Sequence, residues 1–242
     1  MGEMITELKK TGHFGYKSKT GIYASHQYFT GDFEDELSKL TFYDVPLGPK
    51  EVEEIDQVKG QQSGYKTCAF KSVDGKASTH NTTGEFWQEE DPKNYQYTDA
   101  YYQSPQIASM LDWFKCDFLR VRIFQQQPGH MNPTHTDFDN AKGTKFGETL
   151  RIFVQLNENK GDFNYRFQTE DSDVSIQLQQ GQFLIFNPDY TAHGTFNSGD
   201  RVRNTMLMVV KKNDWLMKVM EDDTPKPALI DLRKLAEQRK VA

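Results

Sequence analysis

His135-Thr136-Asp137 sets an imidazole and a carboxylate at positions i and i+2. On an extended segment those positions point to the same side, so the two groups converge. Such a pair suits a borderline metal such as Fe(II). A second histidine from elsewhere in the chain completes a facial set of two histidines and one carboxylate, which leaves coordination positions open for substrate and oxygen chemistry. His193, beyond QFLIFN and the turn at Pro188-Asp189, supplies that histidine. Arg203 follows ten residues after His193, and Thr205 stands two residues further, on the same face of a strand. A guanidinium fork captures a carboxylate in bidentate fashion, and a neighbouring hydroxyl adds a hydrogen bond. The set is suited to a dicarboxylate anchored at its far end by Arg203 and Thr205, with its near end chelating the metal.

Each of these residues also has a plainer reading. His135 and His193 read alternatively as structural histidines near loops. Asp137 reads as a turn cap, with Asp139 as a competing carboxylate. Arg203 reads as a member of a surface ion pair, Arg201 is a competing arginine on the same face, and Thr205 reads as a strand former. Order and spacing favour the metal site.

Strands must carry this set. From Phe118 the pattern turns to β: FLRVRIFQQ, then TLRIFVQLN (149–157), FNYRFQ (163–168), VSIQLQQ (174–180), QFLIFN (182–187) and RVRNTMLMVV (201–210), with Gly147, Gly161, Gly181 and Gly199 in the gaps. Many short strands with glycine turns predict a sandwich or jelly-roll barrel. Ile107, Met110, Leu111 and Phe114 fall at i, i+3, i+4 and i+7, which predicts an amphipathic helix over Pro105 to Cys116. Short polar helices are expected at Asp32 to Leu40 and Lys50 to Lys59, and a terminal helix over Pro227 to Lys240. Residues 60–100 read as long loops with one hairpin, and residues 1–30 resist assignment. The expectation is a single domain, 1–242, mainly β with flanking helices: an N-terminal helical and loop region over 1–117, a jelly-roll core over 118–212 and a C-terminal helical segment over 213–242.

The HxD motif, the distal His193 and the Arg-x-Thr about ten residues later resemble the Fe(II)/2-oxoglutarate-dependent dioxygenase superfamily, over about residues 118–210. Pro128-Gly129, Arg151 and the segment GQFLIFNPDYTAHGTFNSGDRVR are nearest to its aspartyl/asparaginyl β-hydroxylase and proline-hydroxylase branches. The resemblance implies a double-stranded β-helix, or cupin-like jelly roll. It implies iron bound by His135, Asp137 and His193, and the distal carboxylate of 2-oxoglutarate bound by Arg203 with help from Thr205. It implies O2 as co-reactant and a hydroxylated amino acid or peptidyl residue as product, with succinate and CO2 released. Arg151 resembles an arginine that helps hold the cosubstrate in the β-hydroxylase branch, and Gln127 sits where side chains of the superfamily line the site. Known β-hydroxylases of that branch lack the iron-binding carboxylate, whereas this chain has Asp137; its presence argues against a halogenase. The rivals are a cupin-like metal-binding protein or isomerase without 2-oxoglutarate, a jelly-roll protein without metal, and a nucleobase-oxidising dioxygenase.

The bulk properties fit an ordinary enzyme. The chain has 242 residues, 26% of them charged, and a formal net charge of -6. With no long Lys/Arg block, nucleic-acid coating is disfavoured. Two cysteines, Cys68 and Cys116, make neither a disulfide framework nor a cysteine zinc site, which points to a reducing, cytoplasmic setting. MGEMITELKK does not read as a signal peptide, and no apolar run approaches the ~20 residues that span a bilayer. Walker, dinucleotide-glycine, HExxH and paired CxxC motifs are absent. The expected partner is a small-molecule or peptide substrate.

Overall fold

Inward and outward faces alternate along every long strand of this chain, and that alternation builds a three-layer protein. A computed structural model describes residues 13–14, 22–45, 64–79, 91–135, 149–168, 173–188, 191–221 and 228–239. The strands are β1 (His13–Phe14), β2 (Ile22–Thr30), β3 (Tyr43–Asp44), β4 (Tyr65–Ser72), β5 (Gln96–Tyr97), β6 (Phe118–Gln126), β7 (Met131–His135), β8 (Thr149–Gln155), β9 (Phe163–Gln168), β10 (Asp173–Ile176), β11 (Gln182–Phe186), β12 (Ala192–Asn197), β13 (Arg203–Lys211) and β14 (Ala228–Asp231). The helices are α1 (Phe33–Ser38), α2 (Asp99–Gln103), α3 (Pro105–Trp113), α4 (Asp214–Glu221) and α5 (Leu232–Arg239).

A large sheet runs β1-β2-β11-β8-β13-β6-β4-β3, with β14 added to β2 and β5 to β4; a small sheet runs β10-β9-β12-β7. All pairings are antiparallel except that of β14 with β2. The two sheets face each other across a shared core of Ile22, Phe153, Tyr165, Phe167, Val174, Ile176, Leu184, Phe186 and Leu207. The other face of the large sheet presents Val121, Ile123, Ile152, Val154, Phe183, Ile185, Met206, Met208 and Val210 to the helices, where Phe33, Ile107, Met110, Leu111, Leu216 and Leu232 cover them. This is a double-stranded β-helix with helices on one side.

Each strand predicted from Phe118 onward is present, the one expected at 174–180 ending at Ile176, while β7 and β12 lie outside the predicted segments. The first half departs from the expectation. Residues 22–30 and 65–72, read as unassigned and loop, form full strands of the large sheet. In both, buried side chains come from consecutive residues rather than alternate ones, as happens where a strand is covered on two faces. The terminal helix begins at Leu232, because Ala228–Asp231 is held extended by parallel pairing to Gln27–Thr30. The helix expected at 50–59 lies outside the described residues. No helix among the described residues is long and apolar enough to cross a membrane.

Two local devices lock the layers. Gly181 adopts φ +79, where a Cβ would stand 1.9 Å from the Phe29 carbonyl; its N–H donates to Gln155 O and its carbonyl accepts from Phe29 N–H, joining β8 and β2 at the start of β11. At the N-terminus of α3, Ser104 makes no side-chain cap. The buried Glu36 of α1 does so instead, accepting from Gln106 N (3.1 Å) and Ile107 N (2.8 Å). Glu36→Ala strands those donors and should lower the unfolding free energy by about 1–3 kcal/mol in urea titrations. Glu36→Gln keeps an acceptor and should cost less. Burial holds the Glu36 carboxyl above its usual pKa of 4.5, despite the two backbone N–H donors. A folded pKa above the unfolded one means wild type gains stability relative to the Gln variant as pH falls through the folded pKa toward 4.5, and loses it as pH rises again.

Candidate metal and cosubstrate site

The small sheet brings the two histidines together. His135 ends β7, His193 lies near the start of β12, and the pairing register sets one directly opposite the other. Their ring centroids are 4.6 Å apart, and the Phe186 ring lies 4.7 Å from that of His193. Each Nδ1 meets the carbonyl two residues earlier in the chain: His135 that of Pro133 at 2.8 Å, His193 that of Thr191 at 3.1 Å. A carbonyl only accepts, so each Nδ1 carries the proton. In the neutral ring this tautomer puts the lone pair on Nε2, the atom that would bind a metal. Two imidazoles fixed in the same tautomer, side by side, make a fitting half of a metal site.

Backbone geometry makes this pairing possible. Between the His193 and Thr195 rungs, β7 spends three steps (Asn132 to His135) against two on β12. The resulting bulge accommodates Pro133, which cannot donate to a ladder. Gly194 faces the bulge: a Cβ there would lie 2.7 Å from Asn132 O and 3.1 Å from Thr134 N. Only a residue without a side chain lets the β7 backbone approach so closely. Asp137 lies outside the described residues, two positions beyond the end of β7, and among the described residues there is no group of three metal-ligating side chains.

Arg203 is only 1% exposed. Its guanidinium lies 3.9 Å over the Tyr165 ring. Nη1 donates to Gln126 Oε1 (3.2 Å) and Asn164 O (3.3 Å), while the buried Nε and Nη2 have no hydrogen-bond partner among the described residues. A buried cation without a counter-charge costs several kcal/mol, and these donors have the geometry to grip a carboxylate. The donor set thus fits the distal end of a dicarboxylate.

Thr205 is buried on the same face, 3.3 Å from Tyr165 Oη. Tyr165 itself donates to Gln155 Oε1 at 3.1 Å. With the tyrosine hydrogen committed there, Thr205 donates to Tyr165 and holds the ring beneath the guanidinium. Arg151 sits on the inner face opposite Phe186 and Val209, one strand from the phenylalanine that touches His193. Gln127 lies in the turn after β6, its N–H bonded to Gly64 O; the amide beside Arg203 belongs to Gln126, one residue earlier.

Other interior residues were not singled out from the sequence. Arg122, buried opposite Leu207, stacks 4.2 Å from the Phe124 ring. Tyr65, whose pKa burial pushes up to about 12, accepts from Gln126 Nε2 at 2.9 Å. Arginines thus line the inner face of the large sheet. Glu36, the one buried carboxylate among the described residues, lies on the helical side. A separate cavity of about 590 Å³, lined by Trp113, Trp215, Val219 and Leu235, also lies against the helices.

Solved structures similar to this chain include 2OG-Fe(II) oxygenases and prolyl hydroxylases. The likeness is one of fold. A 2OG-Fe(II) oxygenase family oxidoreductase from Burkholderia pseudomallei aligns at 9% identity over 78% of this chain and 96% of its own, with a TM-score of 0.42. A prolyl-4-hydroxylase from Pseudomonas putida aligns at 11% identity over 85% and 99%, with a TM-score of 0.45. A prolyl hydroxylase from Trichoplax adhaerens, in complex with a hypoxia inducible factor peptide fragment, aligns at 12% identity over 88% and 90%, with a TM-score of 0.47. No protein-family model and no curated protein matches the sequence.

The Gly194 contact can be tested directly. Gly194→Ala should push β7 away from β12 and weaken Fe(II) binding by roughly tenfold to a hundredfold, as losses of ligand-orienting contacts do. Anaerobic metal titration reads this, with circular dichroism to check that the β signal persists.

Proposed function

We propose that the protein is an Fe(II)- and 2-oxoglutarate-dependent dioxygenase that hydroxylates a C–H bond of an amino acid or peptidyl residue, releasing succinate and CO2. The observation that carries this reading is Arg203: a buried cation whose Nε and Nη2 have no partner among the described residues, on the strand that follows the His193 strand. The paired Nε2 atoms of His135 and His193 support the metal half of the reading. Asp137 is the proposed third ligand.

Iron and 2-oxoglutarate, when bound, would activate O2, the oxidant of the reaction, for chemistry that no protein side chain supplies. The chain's own residues supply geometry. His135 and His193 offer Nε2 while the carbonyls of Pro133 and Thr191 stop their rings from turning. Arg203 takes the distal carboxylate through Nε and Nη2. Thr205 and Gln155 hold Tyr165 in place beneath it. Arg151 adds positive charge on the inner face beside Phe186, where a second carboxylate, of cosubstrate or substrate, is attracted. Phe153, Phe186 and Leu207 give the interior an apolar wall that excludes water from the reacting centre. A reducing, cytoplasmic setting suits the free thiols of Cys68 and Cys116.

The test is an anaerobic Fe(II) titration with and without 2-oxoglutarate, followed by visible absorption. Wild type should give a charge-transfer band that needs both components, and His135→Ala should lose it. Arg203→Gln should retain iron while binding 2-oxoglutarate about a hundredfold more weakly, from loss of a buried charge-assisted pair. Wild type that binds iron but gives no band with 2-oxoglutarate would move the assignment to a cupin-like metal protein.

A further inference from the structure

Gln126 bonds both to the arginine anchor and to the segments that carry the two histidines. It ends β6, is 2% exposed, and lies directly opposite Arg203 in the β6–β13 pairing. Its Oε1 accepts from Arg203 Nη1 at 3.2 Å. Its Nε2 donates to Tyr65 Oη at 2.9 Å and His130 O at 2.8 Å, with a longer contact to Thr195 O at 3.4 Å. Thr195 is two residues beyond His193, and His130 immediately precedes the His135 strand. The amide thus donates to the His130 carbonyl, which also accepts from Asn197 N, while it accepts from Arg203 Nη1. A planar amide is the side-chain group that offers both at once.

The charge of that acceptor matters as much as its position. A carboxylate facing Nη1 would make a buried ion pair and spend the guanidinium's charge inside the protein. The amide oxygen fixes one N–H and leaves the positive charge uncompensated, directed through Nε and Nη2 at an incoming anion. Asn164 O, the other partner of Nη1, is likewise neutral.

We propose that Gln126 is a positioning residue for the cosubstrate: a neutral clamp that aims Arg203 at the distal carboxylate of 2-oxoglutarate and keeps its charge available for it. This rests on the dioxygenase assignment above. The effect is confined to the distal carboxylate, because Gln126 touches the arginine and not the metal ligands themselves.

That confinement gives the test. Affinities are measured by anaerobic calorimetry on Fe(II)-loaded protein for two probes: 2-oxoglutarate, and 2-oxopentanoate, which has the same 2-oxo acid end and no distal carboxylate. In Gln126→Met, similar in shape and without the amide, 2-oxoglutarate should bind on the order of tenfold to a hundredfold more weakly, the range for a lost hydrogen bond to a charged group. Binding of 2-oxopentanoate should be unchanged. In turnover, KM for 2-oxoglutarate should rise while kcat holds. Gln126→Glu should weaken 2-oxoglutarate further, by at least about tenfold beyond the Met variant, as an internal ion pair competes for the arginine. Should one variant fail to fold, the other carries the same two-probe comparison. Unchanged 2-oxoglutarate affinity, or equal weakening of both probes, overturns the proposal, the latter by showing a general structural role. A Glu variant that binds as well as the Met variant overturns the argument from neutrality. Wild type that binds iron and neither probe brings down the dioxygenase assignment itself, a result distinct from all of these.

Discussion

A guanidinium buried between two β-sheets is the constraint around which the interior is arranged. Taking Arg203 out of water is unfavourable unless other groups replace its hydration. The structure replaces it in part, with the face of Tyr165, the oxygen of Gln126 and the carbonyl of Asn164. None of these is anionic. The Tyr165 ring is held by Thr205 and Gln155, and Gln126 by Tyr65 and the β6–β7 turn. Among the described residues no anion faces the guanidinium, and under the proposed function the distal carboxylate of the cosubstrate would supply that charge.

The histidine pair depends on a different economy, that of backbone space. Side chains alone do not set His135 opposite His193; a bulge, a proline and a glycine do. Pro133 removes a donor from β7, the bulge takes up the extra residue, and Gly194 yields the room. The carbonyls that accept from each Nδ1 lie on β7 and just before β12, so one piece of backbone geometry sets ring spacing, ring orientation and tautomer together.

The candidate site residues were easier to pick out in the sequence than the scaffold that places them. Histidine and arginine at defined spacing after strand-like runs are strong local signals, and His135, His193, Arg203 and Thr205 all fall inside or at the edge of the sandwich. Asp137 lies outside the described residues, so the carboxylate arm rests on the motif. The choice of Gln127 over Gln126 shows how narrow the margin is: the strand period is two, so a one-residue slip carries the side chain to the opposite face. β7 was hidden because Met-Asn-Pro-Thr-His has neither alternation nor a typical strand composition. β2 and β4 were hidden because a strand covered on both faces loses its alternating pattern. Residues 228–231 read as helix from their own spacing and were held extended by a partner strand some 200 positions earlier, a non-local pairing that no window of sequence contains.

β13 has a consequence for how this protein can change. Its alternate residues answer to different masters: Met206, Met208 and Val210 belong to the helix-covered core, while Arg203, Thr205 and Leu207 belong to the interior between the sheets. Substitutions at Met206, Met208 and Val210 are filtered by packing against the helices; Leu207 packs between the sheets, and under the proposed function Arg203 and Thr205 would also be filtered by the cosubstrate. The two sets can drift almost independently, because a strand places consecutive side chains in separate compartments. A scaffold wired this way can be retuned for a new substrate residue by residue without rebuilding what keeps it folded.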